Sequence, residues 1–305
     1  MKVINVGSLN LDHVYRVDRF LLPGETKSSQ SYKITAGGKG LNQSIALAKA
    51  GATVYHGGVV GENCELLSQA LRDAGVHLEH LMHLREPCGH AVIQVDDQGQ
   101  NCILIYGGTN RMLSQQYIDD LLDHSCSDDI ILVQNETNLV DYIIEQAARR
   151  GVRVAMNAAP MSDEVKGYPL EKLHWLIVNE IEGAQLAGKK NYGEIMDGLR
   201  AAYPQTAIAL TLGSEGVWYR DQHQDIRLSA CQISNLVDTT AAGDTFVGYF
   251  LESILSGARE RDALVRASVA SALAIERLGA AESIPLADEV HKALTSGRYT
   301  VEALA

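Results

Sequence analysis

From about residue 130 onward, short apolar runs alternate with longer segments whose apolar residues recur at intervals of three and four. The runs are Ile130 to Val133, Val152 to Met156, Trp175 to Val178 and Ala207 to Leu212. Bounded by turn residues, they fit buried strands. The periodic segments are Leu139 to Arg150, Glu180 to Leu186, Tyr192 to Ala202, Ala242 to Leu255 and Arg259 to Glu276. These predict helices with one buried face. Such alternation implies right-handed crossovers and a mostly parallel sheet with helices on both sides, a three-layer α/β/α sandwich.

The first hundred residues follow another rhythm. Val3 to Gly7 reads as a strand, and Asn10 to Val17 alternates in part before a Pro23-Gly24 turn. Ser28 to Thr35 leans towards strand until Gly37-Gly38-Lys39-Gly40 breaks it. Leu41 to Ala50 then predicts a helix, with Gly51 placed as its C-cap. His90 to Val95 and Cys102 to Tyr106 flank Asp96-Asp97-Gln98-Gly99-Gln100, a hairpin signal. A small sheet projecting from the main body accommodates these pieces. The expectation is one domain over residues 1–305, with a β lid built from approximately 11–35 and 88–107.

Composition narrows the classes. The net charge of −12 and the absence of a long basic run exclude broad binding to nucleic acid or acidic membrane. A single anionic ligand stays open, because local donors decide that. The five cysteines, Cys64, Cys88, Cys102, Cys126 and Cys231, are scattered and lack C-x-x-C spacing. This predicts neither a disulfide framework nor a zinc site, and fits a reducing cytosol. The first residues read as a strand, not a signal peptide, and no run reaches the roughly 18 apolar residues that span a bilayer. The expectation is a cytoplasmic protein.

The most telling stretch is Val237-Asp238-Thr239-Thr240-Ala241-Ala242-Gly243-Asp244-Thr245-Phe246. Small residues lead into a helix start, where unpaired amides attract phosphate. An aspartate in such a pocket repels phosphate, so Asp244 is better explained as a base that takes a proton from an attacking hydroxyl. Backbone N–H groups of the small residues ahead of it then build the anion pocket.

Other segments carry both an ordinary and a functional reading. Gly37-Gly38-Lys39-Gly40-Leu41-Asn42 is a tight strand-to-helix turn, or a close approach to a polyhydroxy ligand with Lys39 and Asn42 as hydrogen-bonding groups. Asn10 and Asp12 share one face of a strand, either solvated or holding vicinal hydroxyls. Asn179-Glu180-Ile181-Glu182 is an N-cap with acids in the first turn, or a site near nucleotide phosphates where a carboxylate orders Mg²⁺ through water. Thr211-Leu212-Gly213-Ser214-Glu215-Gly216 is a hairpin turn, or the sheet edge where nucleotides lie. Glu136 caps a loop or meets a ligand at the same edge.

Together these segments resemble the ribokinase family of carbohydrate kinases, also called the PfkB family. The Gly-Gly-Lys-Gly-x-Asn segment near residue 40, Asn-x-x-Glu at 179 and Asp-Thr-x-Ala-Ala-Gly-Asp-Thr-Phe near 240 carry the resemblance, which spans Asn10 to Ser283. It implies an α/β/α sandwich with a β lid, lids pairing in a homodimer, and ATP-dependent phosphorylation of a sugar hydroxymethyl group. It implies Asp244 as base, Ala241, Ala242 and Gly243 as the anion hole with Gly243 also on the nucleotide side, and Asn10, Asp12, Gly38, Lys39, Asn42 and Glu136 as contacts for ribose, giving ribose 5-phosphate. It implies Asn179, Glu182, Thr211, Gly213, Ser214 and Gly216 on the nucleotide side. It further implies a potassium ion held by Asp238, Thr240, Ala274, Arg277, Gly279 and Ser283, several through carbonyls.

Two departures stand out. Glu62-Asn63-Cys64-Glu65-Leu66 lacks the glycine expected before the next helix, on the sugar side. Ala267-Ser268 offers little hydrogen bonding beside adenine. Kinases of a ketohexose, deoxyribose, a ketodeoxy sugar acid or a nucleoside, and a non-catalytic sugar sensor, are the competing readings. Val14, Val17 and Ile93 are the apolar lid residues expected either at a dimer seam or over the sugar.

Overall fold

The computed structural model describes residues 1–304. Its strands are β1 Val3–Val6, β2 Asn10–Arg16, β3 Ser31–Gly37, β4 Val54–Glu62, β5 Leu81–Pro87, β6 Gly89–Val95 and β7 Asn101–Tyr106. They continue as β8 Ile130–Gln134, β9 Arg153–Asn157, β10 Trp175–Asn179, β11 Ala207–Thr211, β12 Val217–Arg220 and β13 Asp225–Leu228. The helices are α1 Lys39–Ala50, α2 Glu65–Asp73, α3 Gln115–Leu122, α4 Val140–Arg149, α5 Glu180–Ala187, α6 Tyr192–Ala202, α7 Ala242–Leu255, α8 Glu260–Ile275 and α9 Ala287–Thr295.

Nine strands form one sheet in the order β13-β12-β11-β10-β9-β8-β1-β4-β5. All neighbours from β11 to β5 are parallel, and β12 and β13 return antiparallel at one edge. Alternate residues of a central strand enter opposite cores. Ile130 and Leu132 pack with α1, α2, α7 and α8, whereas Ile131 and Val133 pack with α3, α4 and α6. A strand buried on both faces needs no polar alternation, which is why its run is uniformly apolar.

The chain leaves β1 towards β4 and leaves β8 towards β9, in opposite directions along the sheet. The crevice beyond the carboxyl ends of β1 and β8 is therefore the topological switch point, where ligands of open α/β sheets bind. Ser8 follows β1 there, and Glu136 follows β8.

The second sheet, β3-β2-β6-β7, is the lid. Asn10 pairs with Gly37 on one side and with Gly89 on the other, so three strands converge at one root beside the switch point. The outer strand β7 is exposed along its whole length, with Leu104 at 71%. Val17, expected at a dimer seam or over the sugar, is instead buried within the chain at 3%. Its N–H donates to the Val95 carbonyl, which folds it under the end of β6.

The expectation of no disulfide is corrected. Cys64 and Cys88 are bonded, with Cα atoms 6.7 Å apart. The spacing of 24 residues carries no motif. The pairing arises because β4 and β5 lie side by side with Glu62 opposite Pro87, so the residues just past both ends meet. Cys102, Cys126 and Cys231 are free. No helix among the described residues is long and apolar enough to cross a membrane.

Candidate active site

Helix α7 begins at Ala242 behind Ala241, whose φ of 59° lies in the left-handed region. Ala241 ends the extended approach and turns the chain into the helix. No side chain caps this terminus. Ala242 donates to the Thr239 carbonyl at 3.3 Å, so that N–H is not free. The N–H groups of Gly243 and Asp244 meet no acceptor among the described residues. Unpaired amides at the positive end of a helix form an anion site. Gly243 is exposed there, and Asp244 is 6% exposed.

Two amides hold the Asp244 carboxylate. Asn42 Nδ2 donates to Oδ2 at 3.0 Å, and Gln43 Nε2 donates to Oδ1 at 2.8 Å. Both come from the first turns of α1. The two helices approach closely because Gly248, one turn below Asp244, has no side chain. A methyl group on Gly248 would overlap Ala46 and stand 2.7 Å from the Leu47 nitrogen. Gly248 thereby sets the gap that the Asn42 and Gln43 bonds span.

The sugar-side candidates gather at the lid root. Glu136 Oε2 accepts from the Lys39 N–H at 3.0 Å and from the Ser8 hydroxyl. It thus caps the start of α1, in line with its ordinary reading, while Oε1 stays open. Gly38, at φ 96°, makes the turn from β3 into that helix. Asp12 packs over Gly37, where any methyl group would overlap its carboxylate. Burial, then repulsion from Glu136, pushes the Asp12 carboxyl up to about 7. Burial pulls the Lys39 ammonium down, yet Asp244, Glu136 and Glu182 together outweigh this and raise it. Lys39 therefore lies in the field of all three carboxylates. Asn42 keeps a buried Oδ1 without a partner, which suits a hydroxyl donor.

The nucleotide-side candidates follow the carboxyl ends of β10 and β11. Asn179 Oδ1 accepts from the N–H groups of Ile181 and Glu182 at 2.9 and 2.8 Å. Glu182 Oε2 accepts from the Asn179 N–H at 2.9 Å, closing a capping box. Burial raises the Glu182 carboxyl, partly opposed by that bond and by Lys39. Thr211 ends β11 with its hydroxyl 3.4 Å from the Val178 carbonyl. Gly213, Ser214 and Gly216 form the turn into β12, with Gly213 and Ser214 exposed.

Asp238, Thr240 and Gly279 meet behind the α7 terminus. Asp238 accepts from the Thr240 N–H at 2.9 Å, the Thr240 hydroxyl at 2.6 Å and the Gly279 N–H at 3.1 Å. The Arg277 side chain donates to Glu289 at 2.6 Å. Ala274 lies in the last turn of α8, and the buried Ser283 hydroxyl donates to the Ala280 carbonyl at 2.8 Å. Among the described residues no group of three His, Cys, Asp or Glu side chains could hold a metal ion.

Sequence reasoning missed the polar support below these residues. Asn110 donates to Asn10 Oδ1 at 2.8 Å and accepts from the Leu9 N–H at 2.9 Å. Gln134 donates to Gln43 Oε1 at 2.7 Å and to Asn5 Oδ1 at 2.9 Å. The signal available was a polar residue inside an otherwise apolar run at Asn5; Gln43, between Asn42 and Ser44, and Gln134, followed by Asn135, carry no such signal.

The pfkB family carbohydrate kinase description matches residues 1–287. A ribokinase of Haemophilus influenzae is 31% identical, covering 93% of this chain and 95% of its own length. One of Schizosaccharomyces pombe is 32% identical, covering 95% and 96%. The structure of Arabidopsis thaliana ribokinase complexed with ribose and ATP superposes with a TM-score of 0.85 at 29% identity, over 96% of this chain and 98% of that one.

Proposed function

The chain belongs to the pfkB family of carbohydrate kinases, and from that premise we propose that it transfers the γ-phosphoryl group of ATP to the primary hydroxyl of D-ribose, giving ribose 5-phosphate. It is a sugar kinase; the identity of the sugar and the residue roles are the proposal. The observation that carries it is the Asp244 carboxylate, held by two amides beside unpaired helix N–H groups.

On this reading ribose lies at the lid root. Asp12, Asn10, Asn42, Glu136 and Lys39 take its hydroxyls, with the Gly38 turn allowing close approach. Asp244 accepts the proton of the attacking hydroxyl. The amides of Gly243 and Asp244, with the Ala241–Ala242 turn, receive charge on the transferring phosphoryl oxygens. ATP extends towards Asn179, Thr211, Gly213, Ser214 and Gly216.

Mg²⁺ needs few protein ligands when phosphates complete its shell, so Glu182 near Asn179 fits it. It would neutralise charge on the phosphates. One carboxylate with hydroxyl and carbonyl oxygens suits a hard cation, so Asp238, Thr240, Ala274, Arg277, Gly279 and Ser283 fit potassium. It would fix the charge balance of the loop leading into α7.

We read residues 1–305 as one folding unit with its lid. The exposed apolar residues of β7 and Tyr32 support pairing of two lids in a homodimer. ATP as substrate supports a cytoplasmic location. A coupled ADP-release assay over pentoses, hexoses and nucleosides, with and without potassium, tests the reading. Ribose should be turned over fastest. A hexose turned over with ribose inert refutes the substrate, and no turnover with any acceptor favours a sugar sensor.

A further inference from the structure

We propose that Gln43 is a positioning residue for phosphoryl transfer, fixing the Asp244 carboxylate from below while touching neither substrate. The inference rests on the reading of Asp244 as the base.

Gln43 is fully buried. Every polar atom of its amide is engaged within the protein. The two Nε2 protons go to Asp244 Oδ1 at 2.8 Å and Asn157 Oδ1 at 3.0 Å, and Oε1 accepts from Gln134 Nε2 at 2.7 Å. The amide cannot be turned over. Reversal would set its oxygen against the Asp244 carboxylate and its NH₂ against that of Gln134. The orientation that aims a donor at Asp244 is thus dictated from the far side.

The far side is the central sheet. Gln134 ends β8 and donates also to Asn5 of β1 at 2.9 Å. Asn5 Nδ2 donates to the Gly40 carbonyl at 2.8 Å and to the Ser44 hydroxyl at 2.9 Å. Asn157 ends β9 and donates to the Ile177 carbonyl at 3.1 Å. Three strands therefore fix one side chain, and that side chain fixes one carboxylate oxygen. Asn42 holds the other oxygen but differs in kind, because its Oδ1 is left free for a ligand. The two adjacent amides divide the work. Asn42 joins the base to the sugar side, and Gln43 joins it to the sheet.

Steady-state kinetics with ribose and ATP on the full chain test this, using Gln43→Met, Asp244→Asn and the double variant. Methionine keeps the length and removes the donor. Gln43→Met should lower kcat on the order of 10- to 100-fold, the scale of a misplaced reacting group, with both KM values within about two-fold. In the Asp244→Asn background it should add nothing, because Gln43 acts only through that carboxylate. A merely structural role would slow both backgrounds alike, and that result overturns the inference. So does a folded Gln43→Met that keeps its kcat. If Gln43→Met does not fold, Gln134→Met takes its place, since it removes the donor that aims Gln43, along with the bond to Asn5, and leaves Gln43 itself intact. A smaller kcat loss confined to the Asp244 background is expected, and no loss overturns the inference. Near-normal turnover by Asp244→Asn instead removes the base assignment. An inactive Asp244→Asn beside an unaffected Gln43→Met removes only the role of Gln43.

Discussion

Ribose affinity should follow the charge on Asp12. A carboxylate accepts two hydroxyl protons, whereas a protonated carboxyl gives up one of those acceptor positions. Burial and the neighbouring Glu136 raise this carboxyl to about 7. If only the ionised form binds well, the apparent Kd grows by one plus ten to the power of that midpoint minus the pH. Affinity then falls about tenfold between about pH 8 and about pH 6. Calorimetric titration of ribose into the nucleotide-free protein measures it and keeps turnover out of the reading. At the acid end, binding should release close to one proton, visible as a dependence of the heat on the buffer. Glu136→Gln removes the adjacent charge and should move the midpoint to lower pH. Asp12→Asn should weaken binding and flatten the curve. The sign for stability is opposite. Between about pH 4 and about pH 7 the native state retains a proton that the unfolded chain has released, so stability declines as pH rises through that window. A wild-type affinity that stays level from pH 6 to pH 8 would refute the reasoning.

Asp244→Asn should lower kcat by roughly 10² or more while the chain stays folded, as expected for a general base; a coupled assay with circular dichroism checks both. Gly37→Ala places a methyl group in the Asp12 carboxylate and should raise the ribose KM more than it lowers kcat. Gly248→Ala intrudes on Ala46 at the seam of α1 and α7. It should cost about 1–3 kcal/mol in urea unfolding, as overpacking does, and slow turnover by displacing Asp244 from its two amides. Replacing Cys64 and Cys88 by serine should remove up to about 3 kcal/mol relative to the disulfide-bonded form, from the loop it closes. Equal thermal midpoints for the two forms would count against the bond.

The main sheet was legible because its strands are apolar on both faces. Ile130 to Val133 and Ala207 to Leu212 have no other economical reading. The helix that opens just before Asp244 was legible from its apolar periodicity and from the small residues that lead into it. The segment Glu62 to Leu66 was not. There Asn63 takes a φ of 59°, a conformation that asparagine tolerates, and Cys64 then caps the start of α2. The strand β5 escaped notice because only Leu81 of it is buried. Gln43, Gln134 and Asn157 escaped for a different reason. Their hydrogen-bond partners lie on other elements, and no spacing along the chain encodes them. The Asn179 segment shows the limit of motif reading from the other direction, since its side chains satisfy a helix end whether or not a nucleotide is present.

The three lid strands that reach the crevice all do so at the same end, with Asn10 opposite both Gly37 and Gly89. On the proposed reading the root of this sheet is also its sugar contact. A swing about that root would carry the far Asp96–Gln100 turn a long way and displace Asn10 and Asp12 very little. Grip on the sugar and travel of the flap would then be mechanically separate. The acceptor could be shielded from water without rebuilding the contacts that first captured it.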